Sequence, residues 1–304
     1  MGHNKSDVSK QAAQKYNRGR LVMISPTSTT TTLREGIDKQ NNIYIYRVVP
    51  TDKDLAEQLR QYMDTQGIRT EKVYVCMDKA SNTDAFLSAF FNDPKKEAPC
   101  NLKNLTQDQE EIENNFLKDG FNTLLLLPSK EIENALQITE LLKDYPVFGN
   151  DVIFTDIPNK NIKNVIHQRL IVVAPWHPQA NRKFTDKYNK FWPRENTKGS
   201  DGLNWRTGMA YDAALAITEA IRKVSLTSDI QENRQAVAKA LQSVNIEGAT
   251  KTIQFTEKGD RDVSVAPKGY IVRFDKNANK ETYRSDFVCI EGCDQSTAPK
   301  TEPQ

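Results

Sequence analysis

The sequence predicts an α/β protein of two lobes, each built on a parallel sheet flanked by helices, with the chain interleaved between them. Three observations lead there. Apolar strands alternate with helices of about 10–15 residues, the pattern of βα units in a parallel sheet. At 304 residues the chain exceeds the usual single-domain size. It ends in two β-like segments after a series of βα units, so the chain returns to close an earlier sheet.

SDVSKQAAQKY (6–16) carries helix-favouring residues behind a Ser or Asp cap. Leu21–Ser25 is apolar and long enough for one buried parallel strand, which Pro26 ends for want of an N–H. An unbroken hydroxyl run follows from Thr27 to Thr32 before Leu33 resumes the apolar pattern. A strand running into such a turn at its carboxyl end is where open α/β sheets bind small ligands. Backbone N–H groups and hydroxyls converge there and can hold a carboxylate or phosphate. A Thr-rich surface linker is the plainer alternative.

Asn42–Val49 is β-like, and Asp52–Gln66 places Leu55, Leu59 and Met63 at helical spacing before Gly67. Lys72–Met77 is a buried strand and Asp84–Phe91 a short amphipathic helix. Helix, strand and helix follow over Thr106–Lys118, Asn122–Leu127 and Lys130–Asp144. Val152–Phe154 is a strand end, and Leu170–Ala174 a buried strand stopped by Pro175. Phe184–Trp192, the Ala-rich Trp205–Val224 and Ile230–Ser243 are helices. Lys251–Thr256 and Tyr270–Asp275 are strands, with the turn EKGDRD between them.

A net charge of +2, with acids and bases alternating along the chain, argues against a nucleic-acid partner. No apolar run approaches the ~20 residues that span a bilayer, so direct membrane insertion is not expected. Met1 leads straight into Gly-His-Asn-Lys-Ser without a secretory signal. Of four cysteines, Cys76 sits in the apolar run VYVCM and reads as a buried structural thiol, whereas Cys100 is in the polar loop EAPCNL. Cys289 and Cys293 (CIEGC) suit a short-loop disulfide in an oxidising compartment. A zinc site is less expected, because no second Cys/His pair lies nearby in sequence. No cofactor motif is present.

Several segments together resemble a known family. GHNKSD (2–7), ISPTSTTTTL (24–33), the DK of CMDK (Asp78, Lys79), AYDAALAITEAI (210–221) and IQFTEKGDR (253–261) fall in the order seen in type I periplasmic binding proteins. The nearest branch is that of the leucine/isoleucine/valine-binding receptors of ABC transporters, and the similarity runs from Gly2 to about residue 285. The resemblance implies two interleaved Rossmann-like lobes joined by three hinge crossovers, near Tyr46–Thr51, Val172–Trp176 and Gln254–Lys258. One lobe would hold residues 1–47 and 176–255, the other 48–175 and 256–285, with 286–304 as a C-terminal tail. The family has a βαβα segment ahead of GHxxS, so the first lobe is expected to be truncated at its N-terminus.

The resemblance also implies a site. The Ser of GHxxS and the residues of SPxxT bind a ligand carboxylate in the family, which points to Ser6, Thr27, Ser28 and Thr29. A buried carboxylate needs several donors, because an unpaired buried charge costs far more than the ~1 kcal/mol net gain of an ordinary hydrogen bond. The anion for the ligand's ammonium falls at Asp151, one methylene shorter than the family's Glu. Asn82 stands where the family places a Tyr over the ligand, and Ser129 falls at a second aromatic position. Trp176, beside the second crossover, either replaces the lost aromatic clamp or packs the hinge. These departures leave a polar amino acid, an amide or another small molecule open as ligand. The implied partners are that small molecule and the membrane permease of an ABC transporter, in the periplasm or outside the cell.

Three other functions compete with that reading. An enzyme is disfavoured: G-x-G-x-x-G, Walker, G-x-S-x-G and H-E-x-x-H motifs are all lacking, and His3, His167 and His177 are scattered. A ligand-sensing domain of a kinase or receptor would look the same. A truncated, non-binding remnant would have a cleft that stays open and a melting temperature indifferent to every amino acid tested.

Overall fold

In the computed structural model, residues 5–37, 43–154, 160–192, 203–278 and 286–293 are described. The larger body is a seven-stranded sheet. Its strands are β3 (Val73–Met77), β4 (Cys100–Asn101), β5 (Thr123–Leu127), β6 (Val147–Gly149), β7 (Leu170–Ala174), β10 (Tyr270–Phe274) and β11 (Phe287–Glu291). They lie in the order β11-β10-β7-β6-β5-β3-β4. The five strands from β4 to β7 pair parallel; β10 runs antiparallel to both β7 and β11.

Every residue of β3 and of β5 is buried, as expected of strands covered on both faces. The two-residue period then sorts them. Val73, Val75, Met77, Leu125 and Leu127 face Leu55, Leu59 and Met63 of α2 (Asp52–Thr65) and Phe86 and Phe90 of α3 (Ser81–Phe91). Tyr74, Cys76, Leu124 and Leu126 face the other way. They pack with Phe116 of α4 (Leu105–Lys118), Leu136 of α5 (Ile132–Leu141) and Ile162 and Ile166 of α6 (Lys160–Ile166).

The smaller body starts from a parallel pair, β1 (Met23–Ser25) and β2 (Ile45–Arg47). Met23 and Ile45 meet Ala13 of α1 (Ser6–Arg18) on one face. Ile24 and Tyr46 turn to the other, towards α8 (Trp205–Arg222) and α9 (Ile230–Gln242). Between these helices and β7 lie a short 3-10 turn (Pro178–Ala180) and α7 (Arg182–Phe191). An antiparallel hairpin, β8 (Asn245–Gly248) with β9 (Lys251–Gln254), follows α9.

The chain leaves the β1–β2 sheet after Arg47 and enters the large sheet at β3. It leaves again after Ala174 and returns at Tyr270.

Four expectations change. Val152–Phe154 is a turn, and the strand there is Val147–Gly149, because Pro146 and Val147 align with Leu124 and Leu170. The hairpin strand Asn245–Gly248 was not anticipated: it is four residues long and none of them is buried, so its alternation of exposed and half-buried positions is a weak signal. Residues 287–291, expected in a polar tail, form the edge strand β11; residues 294–304 lie outside the described set. Cys76 is no free thiol: it pairs in register with Cys100 and is disulfide-bonded to it. Cys289 and Cys293 are also joined.

Candidate functional site

The hydroxyl turn after β1 is built around Arg47. Its guanidinium, almost wholly buried, donates Nη1 to the carbonyls of Ser28 (3.2 Å) and Thr30, and its Nε to Asp260 (2.6 Å). Against the cost of burial, Arg47 and Arg34 hold the Asp260 carboxyl below its ordinary range. This clasp spends the carbonyls of the turn on Arg47. The Ser28 N–H is bonded to Ser25 Oγ (3.1 Å), while the buried Ser28 Oγ has no hydrogen-bond partner among the described residues.

Thr29 reaches towards Asp52. The Asp52 N–H donates to the Thr29 carbonyl (2.8 Å), and the Thr29 side chain bonds the Asp52 carboxylate. Local sequence sets this up. Thr51 caps α2 in a capping box, its Oγ1 accepting from Asp54 N–H (3.0 Å) while its own N–H donates to Asp54 Oδ2 (2.8 Å). Asp52 is thereby held at the first helical position, facing the hydroxyl turn.

Asp151 approaches from the large sheet. It follows β6 in a turn closed by Ile153 N–H on Asn150 O (3.2 Å) and Phe154 N–H on Asp151 O (3.2 Å). Both Asp52 and Asp151 are buried. Burial, then repulsion from Asp151, pushes the Asp52 carboxyl up to about 7. Burial pushes Asp151 up to about 6, with the attraction of Arg206, in the first turn of α8, working the other way. Asp52 Oδ2 and the neighbouring Asn150 Oδ1 are buried with no hydrogen-bond partner among the described residues. Two acids that interact while buried, with acceptors unspent, are arranged to receive a cation with N–H donors.

Of the residues anticipated from sequence, Thr29 and Asp151 thus meet through Asp52, with Thr27 and Ser28 in the same turn as Thr29. The others are engaged differently. Ser6 is the first helical residue of α1, where Lys5 holds the cap position and makes no side-chain cap bond. Ser129 donates its N–H and its Oγ (2.7 Å) to Asp78, so it braces the end of β3. Asn82 is half-buried in the first turn of α3. Trp176 has no solvent exposure; its ring stands edge-on to Phe184 (5.9 Å between centroids). A Cβ on Gly208 would lie 2.9 Å from Trp176 Cε3, so the glycine is what lets α8 close over the indole. That is packing beside the second passage between the bodies.

Three residues escaped the reading of the sequence. Asp52 figures in the sequence only as the first residue of the helical run Asp52–Gln66. Arg47 was one more residue of a β run. Arg206, with its guanidinium 4.3 Å over the Trp205 ring, carried no motif at all.

The comparisons with known proteins agree with this architecture. The family model described as "Receptor family ligand binding region" matches residues 1–266. A search of curated proteins finds no match. An ABC transporter substrate-binding protein from Desulfitobacterium hafniense, also solved in complex with Leu, is 18% identical with a TM-score of 0.68, over 95% of this chain and 79% of that one. The substrate binding protein LivJ from Streptococcus pneumoniae, in complex with isoleucine, is 15% identical with a TM-score of 0.66, over 95% and 78%. A Rhodopseudomonas palustris solute binding protein in complex with benzoate is 11% identical with a TM-score of 0.67, over 95% and 78%. The fold is that of type I periplasmic binding proteins.

Proposed function

Because this chain belongs to the family of receptor ligand-binding regions, we propose that it is an extracytoplasmic solute receptor without catalytic activity. It clamps an amino acid or similar small polar solute between its two bodies and delivers it to the membrane permease of an ABC transporter. One observation carries this reading: Asp52 bonds the Thr29 hydroxyl of one body, feels Asp151 of the other, and keeps a buried oxygen unpaired. A ligand ammonium seated between the carboxylates relieves their repulsion and takes up the unspent acceptors. The Ser28 hydroxyl and Arg206 offer donors to a carboxylate or amide carbonyl at the other end.

Closing the bodies over such a ligand uses the hinge geometry common to this class of clamp. Two disulfides support an oxidising compartment. Among the described residues no helix is long and apolar enough to cross a membrane.

The test is a thermal-shift screen of the chain against amino acids, their amides and small carboxylates that lack an amine. α-Amino compounds should raise the melting temperature while the amine-free acids do not. If no amino compound moves the transition, or if amine-free acids act alone, the reading fails.

A further inference from the structure

The outward face of α7 has no part in the cleft. This helix carries Arg182, Lys183, Lys187 and Lys190 against the single acid Asp186. Its inward side is spent on packing. Thr185 is buried and donates its hydroxyl to the Pro178 carbonyl (2.8 Å), while the Phe184 ring lies between those of Trp176 (5.9 Å) and Tyr211 (4.9 Å). On the other side, Lys183, Lys187 and Phe191 follow one another at four-residue spacing in one row, with Lys190 beside it, and all four are exposed. Arg182 pairs with Asp186 (3.8 Å). Lys183, Lys187 and Lys190 are in no ion pair among the described residues.

The row of lysines runs into aromatic surface. Phe191 is 65% exposed and Trp192 55%, the two most exposed aromatic side chains among the described residues. The Trp192 ring is stacked on Tyr188 (5.1 Å between centroids, 28° between planes), and the Phe191 ring lies 6.1 Å from it. Large rings held beside unpaired lysines suit the boundary between lipid headgroups and acyl chains. There an indole keeps its N–H wet and buries its body, and lysine stems reach back to the phosphates. From Lys183 to Phe191 the helix rises about 12 Å, enough to touch several headgroups. A second copy of the chain seated face to face here would set lysines against lysines. An acidic protein would answer the lysines, whereas an anionic bilayer answers the lysines with one layer and the rings with the next.

We propose that the outward face of α7, with Phe191 and Trp192 at its end, docks this receptor on an anionic phospholipid surface. Lys183, Lys187 and Lys190 meet lipid phosphates, and the two rings enter the boundary below them. The chain lies on the bilayer rather than across it; among the described residues no helix is long and apolar enough to span one. The attachment is peripheral, weakened by salt, and independent of which solute the cleft takes.

The experiment mixes the full chain with vesicles of phosphatidylcholine alone, or of phosphatidylcholine and phosphatidylglycerol in equal parts, and follows sedimentation with the vesicles and tryptophan fluorescence. Trp176 and Trp205 are buried, so Trp192 is the tryptophan that acrylamide reaches in the free protein. At low salt the chain should sediment with the mixed vesicles and not with phosphatidylcholine, its emission should shift to the blue, and Trp192 should become shielded from acrylamide. High salt should release it. Lys183→Gln/Lys187→Gln/Lys190→Gln and, separately, Phe191→Ser/Trp192→Ser should each weaken partitioning at least tenfold, with circular dichroism showing that both remain folded. Lys95→Gln/Lys96→Gln/Lys103→Gln removes as many exposed lysines from the larger body and should leave partitioning unchanged. Failure of the folded wild-type chain to sediment with the mixed vesicles overturns the proposal. So does an equal loss in the larger-body variant, or sedimentation that leaves Trp192 open to acrylamide. Lipid-free self-association abolished by Phe191→Ser/Trp192→Ser would give the face to a second copy, and a Trp192 response to polyglutamate but not to vesicles would give it to an acidic protein; either result overturns the lipid assignment.

Discussion

Asp52 is one residue serving two demands. As the first residue of α2 it enjoys the helix dipole, which favours a carboxylate, yet burial and Asp151 outweigh that and raise its pKa. An acid whose folded pKa lies above its unfolded value keeps a proton in the native state that the unfolded chain has lost. Stability therefore falls as pH rises from near 4, the unfolded value, through about 7 for Asp52 and about 6 for Asp151. The ionised pair is what an ammonium needs, so affinity for an α-amino ligand should strengthen from pH 5 to pH 8 while the ligand-free melting temperature declines. Calorimetric titration and melting curves across that range check both trends. Asp52→Asn should flatten them, stabilise the free protein at pH 8 by about 2 kcal/mol, and weaken the ligand at least tenfold. Thr29→Ala and Asp151→Ala should each cost at least ~1.4 kcal/mol of binding; unchanged affinity in both would remove the site from this cleft.

At the scale of elements, α8 is coupled to the β8–β9 hairpin and to the third passage through one buried network. Asp212 accepts from the N–H groups of Ala249 (2.6 Å) and Thr250 (3.1 Å) and from the Thr250 hydroxyl. Arg261 lies 3.7 Å from it and donates to the carbonyls of Val48 (3.1 Å) and Thr252 (3.0 Å). Asp212→Ala would strand the Arg261 charge in the interior and should cost about 3–5 kcal/mol in chemical denaturation. The Cys76–Cys100 bond closes a loop with a sequence separation of 24 between β3 and the edge strand β4. Its selective loss in Cys76→Ala/Cys100→Ala should cost about 3 kcal/mol on loop entropy alone. Gly208→Val would drive a branched side chain into the Trp176 ring. That should shift α8, and Arg206 with it, and so weaken ligand binding even where the variant remains folded by circular dichroism.

For the whole molecule, the functional unit is the passage of the chain between two sheets. Thr29 and Arg206 belong to elements of the smaller body, Asp52 and Asp151 to elements packed on the larger sheet. A ligand that bridges them binds only the folded, apposed form. At a hundredfold excess over its dissociation constant it should stabilise that form by about 2.7 kcal/mol. Denaturant titration with and without the best ligand of the screen measures this directly; a change confined to one of two separate transitions would mean that the ligand touches only one body.

Periodicity alone was enough for the central strands β3, β5 and β7 and for helices α2, α8 and α9, because continuous Val/Leu runs and Leu or Ala at i, i+3 and i+4 report burial directly. The hydroxyl turn was legible for a similar reason: a proline and a run of threonines are local chemistry. Asp151 could be named only through the family resemblance, and Asp52 not as a site residue at all. What brings Asp52 into the proposed site is a neighbour 99 positions away, and no local pattern encodes that distance. Likewise β8 is too short, with no buried residue, and β11 takes its register from β10, so neither stands out along the chain. The pairing of Cys76 with Cys100 arises from strands laid side by side by the sheet. Burial is written residue by residue along the chain; which buried groups face one another is settled only when the sheets form.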